Sequence, residues 1–323
     1  MMCKLHHRRN SFHATRIGPF LCWIVVLLFS SASSISQTPR PTRIAVLDLG
    51  SSPTGVRVAA LLRGGFRSQT MTPSGVTNRE FDVVDSDQAG AAALGAGFNG
   101  SLNMTLSEAR DLGAAIGCDF FIVGNSQTVR RSPSSGTIYY EAFASIFLVS
   151  ARTGRLLSWE RPEFQRPTPN EAEDALLAML ASEETRHRYT IAIRRAQEDE
   201  RAERARAIEP ATTAVIEPMS DEETSDNATR PPRPFRRPRP LYPESASRAD
   251  AEATVDALVD IDARGEVGKI EVVRWAGYGL DQSVIDTVKQ MHFFPAMRDG
   301  VAIPMRVLLR YNFRKPPIQN LSQ

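Results

Sequence analysis

Alternating apolar and polar positions in the C-terminal quarter of the chain predict a small antiparallel sheet. Residues 255–261 alternate in this way, residues 262–265 have the composition of a turn, and residues 267–275 supply the return strand of a hairpin. A helix follows from Asp281, with its apolar residues recurring on one face. The final strand, 303–313, alternates most regularly, so its odd-numbered apolar residues are predicted to face a core. The order strand, strand, helix, strand allows the helix to cover one face of the sheet.

A different pattern, short apolar runs separated by helical periodicity, predicts a compact α/β domain over residues 43–165. The runs at 43–48, 81–85 and 118–124 are rich in β-branched residues and have the length of buried strands. Residues 56–62 have the spacing of a helix that covers them.

Two local signals add elements to this domain. Thr105 and Glu108 have the spacing of a capping box, in which each side chain accepts a hydrogen bond from the other residue's backbone N–H. The helix that they open is predicted to end at Gly117. Residues 138–149 and 155–159 are predicted to pair as a hairpin, because a Thr-Gly turn separates them.

A charged helix over residues 170–207 and a linker over residues 208–240 follow the first domain. The tail of the helix alternates acidic and basic residues, which predicts a solvated face. The linker is acidic at first and then Arg- and Pro-rich from Arg230 to Pro240, a composition that favours extended polyproline II. At ~3.1 Å per residue the linker could reach roughly 100 Å. The pattern therefore predicts a spacer that holds the two domains apart.

Residues 1–36 have the order of a secretory leader. Residues 1–16 are basic, residues 17–29 are apolar, and residues 30–36 are mostly small. Cleavage at the end of this segment would make it a signal peptide, whereas retention of residues 17–35 would make it a signal anchor. Basic residues before the apolar run direct the rest of the chain outward, so export to the cell envelope is predicted under either alternative.

Net charge, read by segment, excludes a generally basic nucleic-acid-binding protein. The chain of 323 residues carries 39 Lys and Arg against 37 Asp and Glu, but four of the basic residues and no acidic ones lie in the leader. The remaining 35 basic side chains are outnumbered by 37 acidic ones, so no excess of positive charge is left to attract nucleic acid. Three cysteines, two of them in the leader, also exclude a disulfide scaffold.

The C-terminal pattern resembles the TonB family in ordered motifs over residues 241–315. The motifs are residues 242–246 (Tyr-Pro-Glu-Ser-Ala), 259–267, 279–281 (Gly-Leu-Asp) and 294–300, followed by the alternating final strand. Proteins of this family have an N-terminal membrane segment, a Pro-rich periplasmic spacer and this terminal domain. The leader and linker predicted above agree with that organisation.

The resemblance implies a periplasmic protein that binds an outer-membrane TonB-dependent transporter. In the family, the terminal sheet accepts an extended peptide segment of the transporter as an added strand, held by backbone hydrogen bonds to a sheet edge. The positions that match this site are Tyr242, Pro243, Arg306, Val307, Leu308, Leu309, Arg310, Tyr311 and Phe313. A second interpretation of Arg306 and Arg310 is equally open, in which their charges only keep an exposed sheet edge soluble.

Energy transduction through inner-membrane motor proteins is a further implication of the resemblance. TonB-type coupling uses polar residues of the membrane helix, notably a histidine. Residues 17–29 contain no His, Ser or Thr, so binding is better supported than energy coupling.

The first domain resembles the α/β domain of CsgG-like curli-secretion lipoproteins and the TolB amino-terminal domain. The matching stretches are residues 44–48, 81–85, 106–113 and 117–119, together with the Thr153–Gly154 hairpin turn. These are envelope assembly or interaction domains, so the resemblance implies protein recognition and no catalytic residues.

No enzyme, cofactor or metal site is predicted. Gly95 to Gly100 fits the string G-x-G-x-x-G but follows a helical stretch instead of a strand, which favours a loop. Cys118 precedes an apolar run and is predicted to be a buried structural thiol. The histidines outside the leader are His187 and His292, and neither has an acidic residue or Cys at the spacing of a metal site. An exported hydrolase is also disfavoured, because no set of nucleophile, histidine and acid can be assembled from these two histidines. Asp260 and Asp262 are predicted to be solvent-exposed.

Together these patterns predict an α+β protein with an N-terminal α/β domain, a long charged helix, a Pro-rich linker and a small C-terminal antiparallel sheet with a packed helix. The predicted function is binding of outer-membrane transporters by strand addition. The alternative is an envelope assembly or adaptor protein that recognises partners through its CsgG-like domain. Partner binding that survives deletion of residues 241–323 would favour the alternative.

Overall fold

The computed structural model describes residues 40–67, 70–71, 77–78, 80–208, 217–218 and 229–315. The leader predicted over residues 1–36, with its cleavage or anchoring, lies outside the described residues. Among the described residues, the helices are too short or too polar to cross a bilayer.

The described helices and strands follow one another in an order that confirms a mixed α+β fold. The helices are α1 (Pro53–Arg67), α2 (Ser86–Gly95), α3 (Leu106–Ile116), α4 (Pro169–Leu180), α5 (Glu183–Ile208), α6 (Glu244–Arg248) and α7 (Leu280–Lys289). The strands are β1 (Thr42–Val46), β2 (Thr70–Met71), β3 (Thr77–Asn78), β4 (Phe81–Val83), β5 (Met104–Thr105), β6 (Phe120–Arg131), β7 (Tyr139–Ser150), β8 (Leu156–Glu160), β9 (Glu163–Arg166), β10 (Glu217–Pro218), β11 (Thr229–Arg230), β12 (Arg233–Pro234), β13 (Ala253–Ile261), β14 (Val267–Trp275), β15 (Phe293–Phe294), β16 (Ala296–Arg298), β17 (Val301–Ile303) and β18 (Met305–Phe313).

The first domain is built on a six-stranded mixed sheet. Its strand order is β4-β1-β6-β7-β8, and β9 also pairs with β7. The strand β1 is parallel to β4 and β6, whereas β6, β7 and β8 are antiparallel. Side chains of β7 are buried from Glu141 to Ser150, because helices or other elements cover both faces of this strand. The hairpin predicted from the Thr-Gly turn is confirmed, and β6 extends seven residues beyond the predicted end at residue 124.

The capping box is confirmed at the start of α3. The Thr105 hydroxyl accepts the Glu108 N–H at 3.1 Å, and the Glu108 carboxylate accepts the Thr105 N–H at 2.7 Å. The latter hydrogen bond lowers the pKa of Glu108 below its ordinary value. Gly117 ends the helix at φ 73°, a left-handed conformation that disfavours side chains with a Cβ.

The prediction of one continuous charged helix over residues 170–207 is wrong. The segment consists of α4 and α5, and the Ser182 hydroxyl between them accepts the N–H of Thr185 and so caps the start of α5. The tail over residues 194–206 is mostly exposed, as its charge alternation predicted, and Ala196 is its one buried residue. Tyr189, Ile193 and Ala196 pack with α1 and α4 in one core of the sheet. These positions bury one stripe of α5, while most of its other side chains stay exposed or half-exposed.

The second domain has the predicted order of strand, strand, helix and strand. β18, β13 and β14 are antiparallel neighbours, and α7 buries Leu280, Val284 and Val288 against them. Asp262 lies in the exposed turn, as predicted. The predicted exposure of Asp260 is wrong, because this side chain is buried and forms an ion pair with Arg306.

The two domains pack directly against each other, contrary to the predicted spacing apart. Trp275 of β14 enters a core formed by α2, α3 and one face of the first sheet. Its Nε1–H donates to the Gly154 carbonyl oxygen at 2.9 Å, and its ring stacks on Phe147 at 6.0 Å. Gly277 lies so close to Phe147 that an added Cβ would be 2.3 Å from the ring.

The described parts of the linker also contact the second domain instead of extending away from it. β10 pairs with β18, β11 pairs with β16, and β12 pairs with β15. Proline removes backbone donors but leaves every carbonyl available, so a Pro-rich segment can still form short edge pairings.

Candidate partner-binding edge of the C-terminal sheet

The last strand, β18, has one paired edge and one edge that is largely unpaired. All nine of its residues pair with β13, from Met305 opposite Ile261 to Phe313 opposite Ala253. On the other edge, the described residues supply partners for Met305 and Arg306 only, from the two-residue strand β10. Among the described residues, no strand pairs with this edge from Val307 to Phe313, and unpaired backbone groups of this kind can accept an added strand.

A groove of about 660 Å³ runs beside this edge and is called here the β18 groove. One wall is the strand itself, from Val307 to Tyr311, and the opposite wall is the Pro- and Arg-rich segment of the linker. Phe293 and Met291 also contribute to the lining. The remaining lining residues, all from the linker, are Pro231, Pro232, Arg233, Pro234 and Arg237.

Strand pairing and an aromatic contact hold the linker wall in place. Arg233 pairs with Phe294 across β12 and β15, and the Phe235 N–H donates to the His292 carbonyl oxygen at 2.9 Å. The Phe235 and Phe294 rings meet edge to face at 4.2 Å. This wall is thus fixed to the domain that carries β18, and the groove is formed within one chain.

The two arginines predicted to bind a partner are engaged by buried carboxylates on β13. Arg306 binds both oxygens of Asp260 at 2.5 and 2.9 Å, and Arg310 binds both oxygens of Asp256 at 2.7 and 2.9 Å. These hydrogen bonds raise the pKa of both guanidinium groups. Asp256 and Asp260 are 4% and 7% exposed, so the arginines neutralise buried charges. Asp256 has a second cation, Arg274, at 3.4 Å.

The other predicted residues of β18 divide by alternation, as expected for a strand. Val307 and Phe313 are buried, and Leu309 and Tyr311 pack partly buried on the same core. The phenol of Tyr311 lies 3.5 Å from the Met291 sulfur, and its pKa is raised by burial against the opposing effect of Arg237. Leu308 points the other way and is 46% exposed, which leaves an apolar side chain at the groove.

Tyr242 and Pro243 lie apart from this groove and support the fold beside it. The Tyr242 hydroxyl donates to the Ala251 carbonyl oxygen at 2.8 Å, and its ring contacts Phe313. Pro243 precedes α6 and lies next to Gly279. Sequence patterns did not indicate Met291, Phe293 or Arg233 as groove residues, because linker composition alone does not show which surface the linker packs against.

The opposite edge of the same sheet is occupied at one end by the first domain. Arg274 and Trp275 of β14 pair with Thr105 and Met104 of β5. The Asn103 side-chain amide donates to the carbonyl oxygens of Thr254 and Trp275 at 2.8 and 2.7 Å. Its oxygen accepts the Thr254 N–H at 3.0 Å, so one side chain ties the first domain to β13 and β14.

Chemistry-bearing residues of the described segments do not assemble into a catalytic or metal site. No group of three metal-ligating side chains is found there. Burial raises the pKa of the Cys118 thiol to about 12, which keeps it protonated and unreactive. The glycine-rich stretch begins at the end of α2 and is followed by the two-residue strand β5, without the strand before and helix directly after that a dinucleotide site requires.

Comparisons with known proteins agree with the C-terminal geometry. Residues 238–314 match the family described as Gram-negative bacterial TonB protein C-terminal. Protein TonB of Vibrio cholerae serotype O1 is 32% identical over 77 residues, which are 24% of this chain and 32% of that protein. The chain thus spans about a third of the length of this curated relative.

Solved structures give weaker likenesses. The solution structure of the Pseudomonas aeruginosa TonB CTD is 22% identical, at a TM-score of 0.23, and the match covers 28% of this chain and 89% of that one. A hypothetical protein of Chlamydia trachomatis is 8% identical, at a TM-score of 0.25, over 39% of this chain and 73% of the other. At these scores neither likeness extends to the overall fold. The likeness of the first domain to CsgG-like proteins stays a prediction. The family match and the TonB relative together identify residues 238–314 as a TonB C-terminal domain.

Proposed function

We propose that this protein binds an extended segment of an outer-membrane transporter by adding it as a strand to the free edge of β18. The observation that carries the proposal is the edge from Val307 to Phe313, which lacks a strand partner among the described residues and lies beside the β18 groove. Backbone hydrogen bonds to such an edge supply affinity, and side-chain pockets along it supply selectivity.

Two further features support strand addition at this place. Leu308 presents an exposed apolar side chain toward the groove, where it can contact alternate side chains of an added strand. Bidentate pairing of Arg306 and Arg310 with buried aspartates holds the strand in one register against β13. An edge held in one register offers its donors and acceptors at fixed spacing.

Binding of transporter-derived extended peptides tests the proposal directly. Titration calorimetry with the wild-type chain is expected to show saturable binding that Val307→Pro or Leu309→Pro abolishes, because proline removes a donor and perturbs the edge. The same peptide with alternate N-methylated residues serves as a matched control that leaves the protein unaltered, and it should not bind. Equal binding of the N-methylated peptide would contradict strand addition.

The same titration separates this function from the adaptor alternative. Deletion of residues 241–323 also removes Trp275 from the core of the first domain, so the truncated chain would lose fold as well as site. Point variants of β18 avoid this loss. Full retention of partner binding by a folded Leu309→Pro variant would favour recognition through the first domain.

Location in the cell envelope and any transmission of energy belong to the same proposal. The TonB relative and the basic-then-apolar order of residues 1–36 support a periplasmic location. Membrane fractionation with N-terminal sequencing of the expressed protein is expected to yield either a membrane-bound chain that retains residues 17–35 or a mature chain starting near Gln37. Force transmission from inner-membrane motor proteins requires the retained segment, so a cleaved product would exclude it.

A further inference from the structure

A second groove lies between the two domains, away from β18, and is called here the interdomain groove. Its volume is about 530 Å³. Residues 155–159, in and just before β8, line it from the first domain, and residues 269–272 of β14 line it from the second. Asp281 and Ile285 of α7 also line it on the side of the second domain.

Consecutive residues of β8 and β14 line this groove, as expected where strand edges border a space. Side chains alternate between the two faces of a strand, so a face presents only every second residue, whereas an edge presents each one. Within the described residues, β8 pairs with β7 alone, and β14 pairs beyond β13 only at Arg274 and Trp275. Two unpaired edges, one from each domain, therefore border the same space.

The charges in the interdomain groove leave one carboxylate without a cation. Arg155 binds Glu203 at 2.5 Å and Glu271 at 3.1 Å, and Lys269 binds Glu271 at 3.2 Å. Asp281 instead accepts the N–H groups of Ala276 and Gly277 at 2.9 and 2.8 Å, and no described cation pairs with it.

The surroundings of Asp281 favour a cationic side chain as its partner. Burial raises the pKa of Asp281 to about 6, the direction expected for a carboxylate that lacks a cation. Trp159 also lines the groove, and an aromatic ring near a carboxylate attracts ammonium and guanidinium groups.

We infer that the interdomain groove binds an extended segment of a partner protein that carries a lysine or arginine. The segment is added as a strand between β8 and β14, and its cationic side chain pairs with Asp281. This site is independent of the β18 edge, so one chain can hold two extended segments, one at each side of the C-terminal domain.

Tryptophan fluorescence provides a local readout. The chain has three tryptophans, and the two outside the leader both line the interdomain groove. With Trp23→Phe in the full chain, titration uses an eight-residue peptide of alternating Thr and Val with one central Lys. We expect a saturable change in emission. Replacement of that Lys by Glu should weaken binding at least tenfold, and alternate N-methylation should abolish it. No saturation up to 1 mM of the Lys peptide would overturn the inference.

Protein variants then locate the binding. Asp281→Asn should reduce the preference for Lys over Glu peptides to less than threefold, whereas Asp286→Asn, which removes the same charge from the exposed side of α7, should preserve it. Leu309→Pro should leave the titration unchanged. Loss of binding in Leu309→Pro would place the peptide at β18 and overturn the inference.

A covalent measurement covers the case in which Asp281→Asn does not fold. The Lys peptide carrying a photoreactive benzophenone is irradiated on the otherwise unaltered chain, and the products are mapped by mass spectrometry. Cross-links within residues 155–159 or 269–272 support the site, and cross-links confined to other segments contradict it.

Discussion

The two edges of the C-terminal sheet have the same backbone chemistry but different neighbours. The β18 edge is unpaired from Val307 to Phe313 among the described residues, with β10 at one end. The β14 edge is closed at Arg274 and Trp275 by β5 of the first domain. Docking of the first domain therefore distinguishes two edges that hydrogen-bonding capacity alone would leave equivalent, and it confines strand addition at β14 to residues 267–273.

The contact between the two domains that distinguishes the β14 edge from the β18 edge is a shared hydrophobic core. Trp275 is 2% exposed within a cluster of first-domain residues, and the glycine at 277 allows Phe147 to approach the backbone. Close packing of this kind fixes relative orientation, because cores tolerate few alternative arrangements. Substitutions in this core should alter how the first domain covers the β14 edge and should leave the β18 edge unchanged.

The largest effect is expected from Trp275→Ala. Loss of a fully buried aromatic ring costs about 3–5 kcal/mol, and here it also leaves the Gly154 carbonyl without its donor. Urea unfolding should show this loss, together with separate transitions for the two domains. The matched variant Trp275→Phe keeps a ring and should cost about 1 kcal/mol from the lost hydrogen bond. A single unshifted transition for Trp275→Ala would contradict a shared core.

A smaller effect is expected from Asn103→Ala. Three hydrogen bonds from this side chain to Thr254 and Trp275 are lost, which predicts a decrease of about 2–3 kcal/mol in the free energy of unfolding. Asn99→Ala removes the same amide from an exposed loop position and should cost less than about 0.5 kcal/mol. Equal stability of the two variants would show that the bridge between the domains contributes nothing.

The ionisation of Asp281 predicts a pH dependence of stability. Its pKa in the folded protein is raised from 3.8 to about 6, mainly by burial, so its stabilising contribution is complete below pH 3.8 and is lost as the pH rises through 6. The difference in unfolding free energy between the wild type and Asp281→Asn should fall by about 2 kcal/mol from pH 4 to pH 7. Chemical unfolding at several pH values measures this, and a difference that grows with pH would reverse the assigned direction.

The smallest effects concern the arginines of the β18 edge, and they should be unequal. Arg306→Ala leaves buried Asp260 without a described cation, whereas Arg310→Ala leaves Asp256 with Arg274 at 3.4 Å. Arg306 is partly exposed and Arg310 is exposed, so we expect a loss of about 1–2 kcal/mol for Arg306→Ala and a smaller loss for Arg310→Ala. Thermal unfolding ranks the two variants, and the reverse ranking would show that Arg274 does not compensate.

Local sequence patterns predicted helices and strands well, but they did not predict which other parts of the chain these helices and strands contact. Thr105 and Glu108 predicted a capping box from two residues three positions apart, and alternation predicted which side chains of the last strand face the core. The exposure predicted for Asp260 failed because an alternating polar position reveals polarity but not the arginine that lies across from it on β18. The proline-rich composition likewise predicted an extended backbone but not the strands that β11 and β12 contact.

The sequence by itself determined that the C-terminal residues form a strand-strand-helix-strand domain, since side-chain periodicity encodes local geometry and one buried face. Only the tertiary structure decided that the first domain covers part of β14, that the linker forms a wall beside β18, and that Asp281 borders a groove between domains. These relations depend on contacts between residues up to 172 positions apart, such as Asn103 and Trp275. Periodicity within a short window carries no information about contacts over that distance.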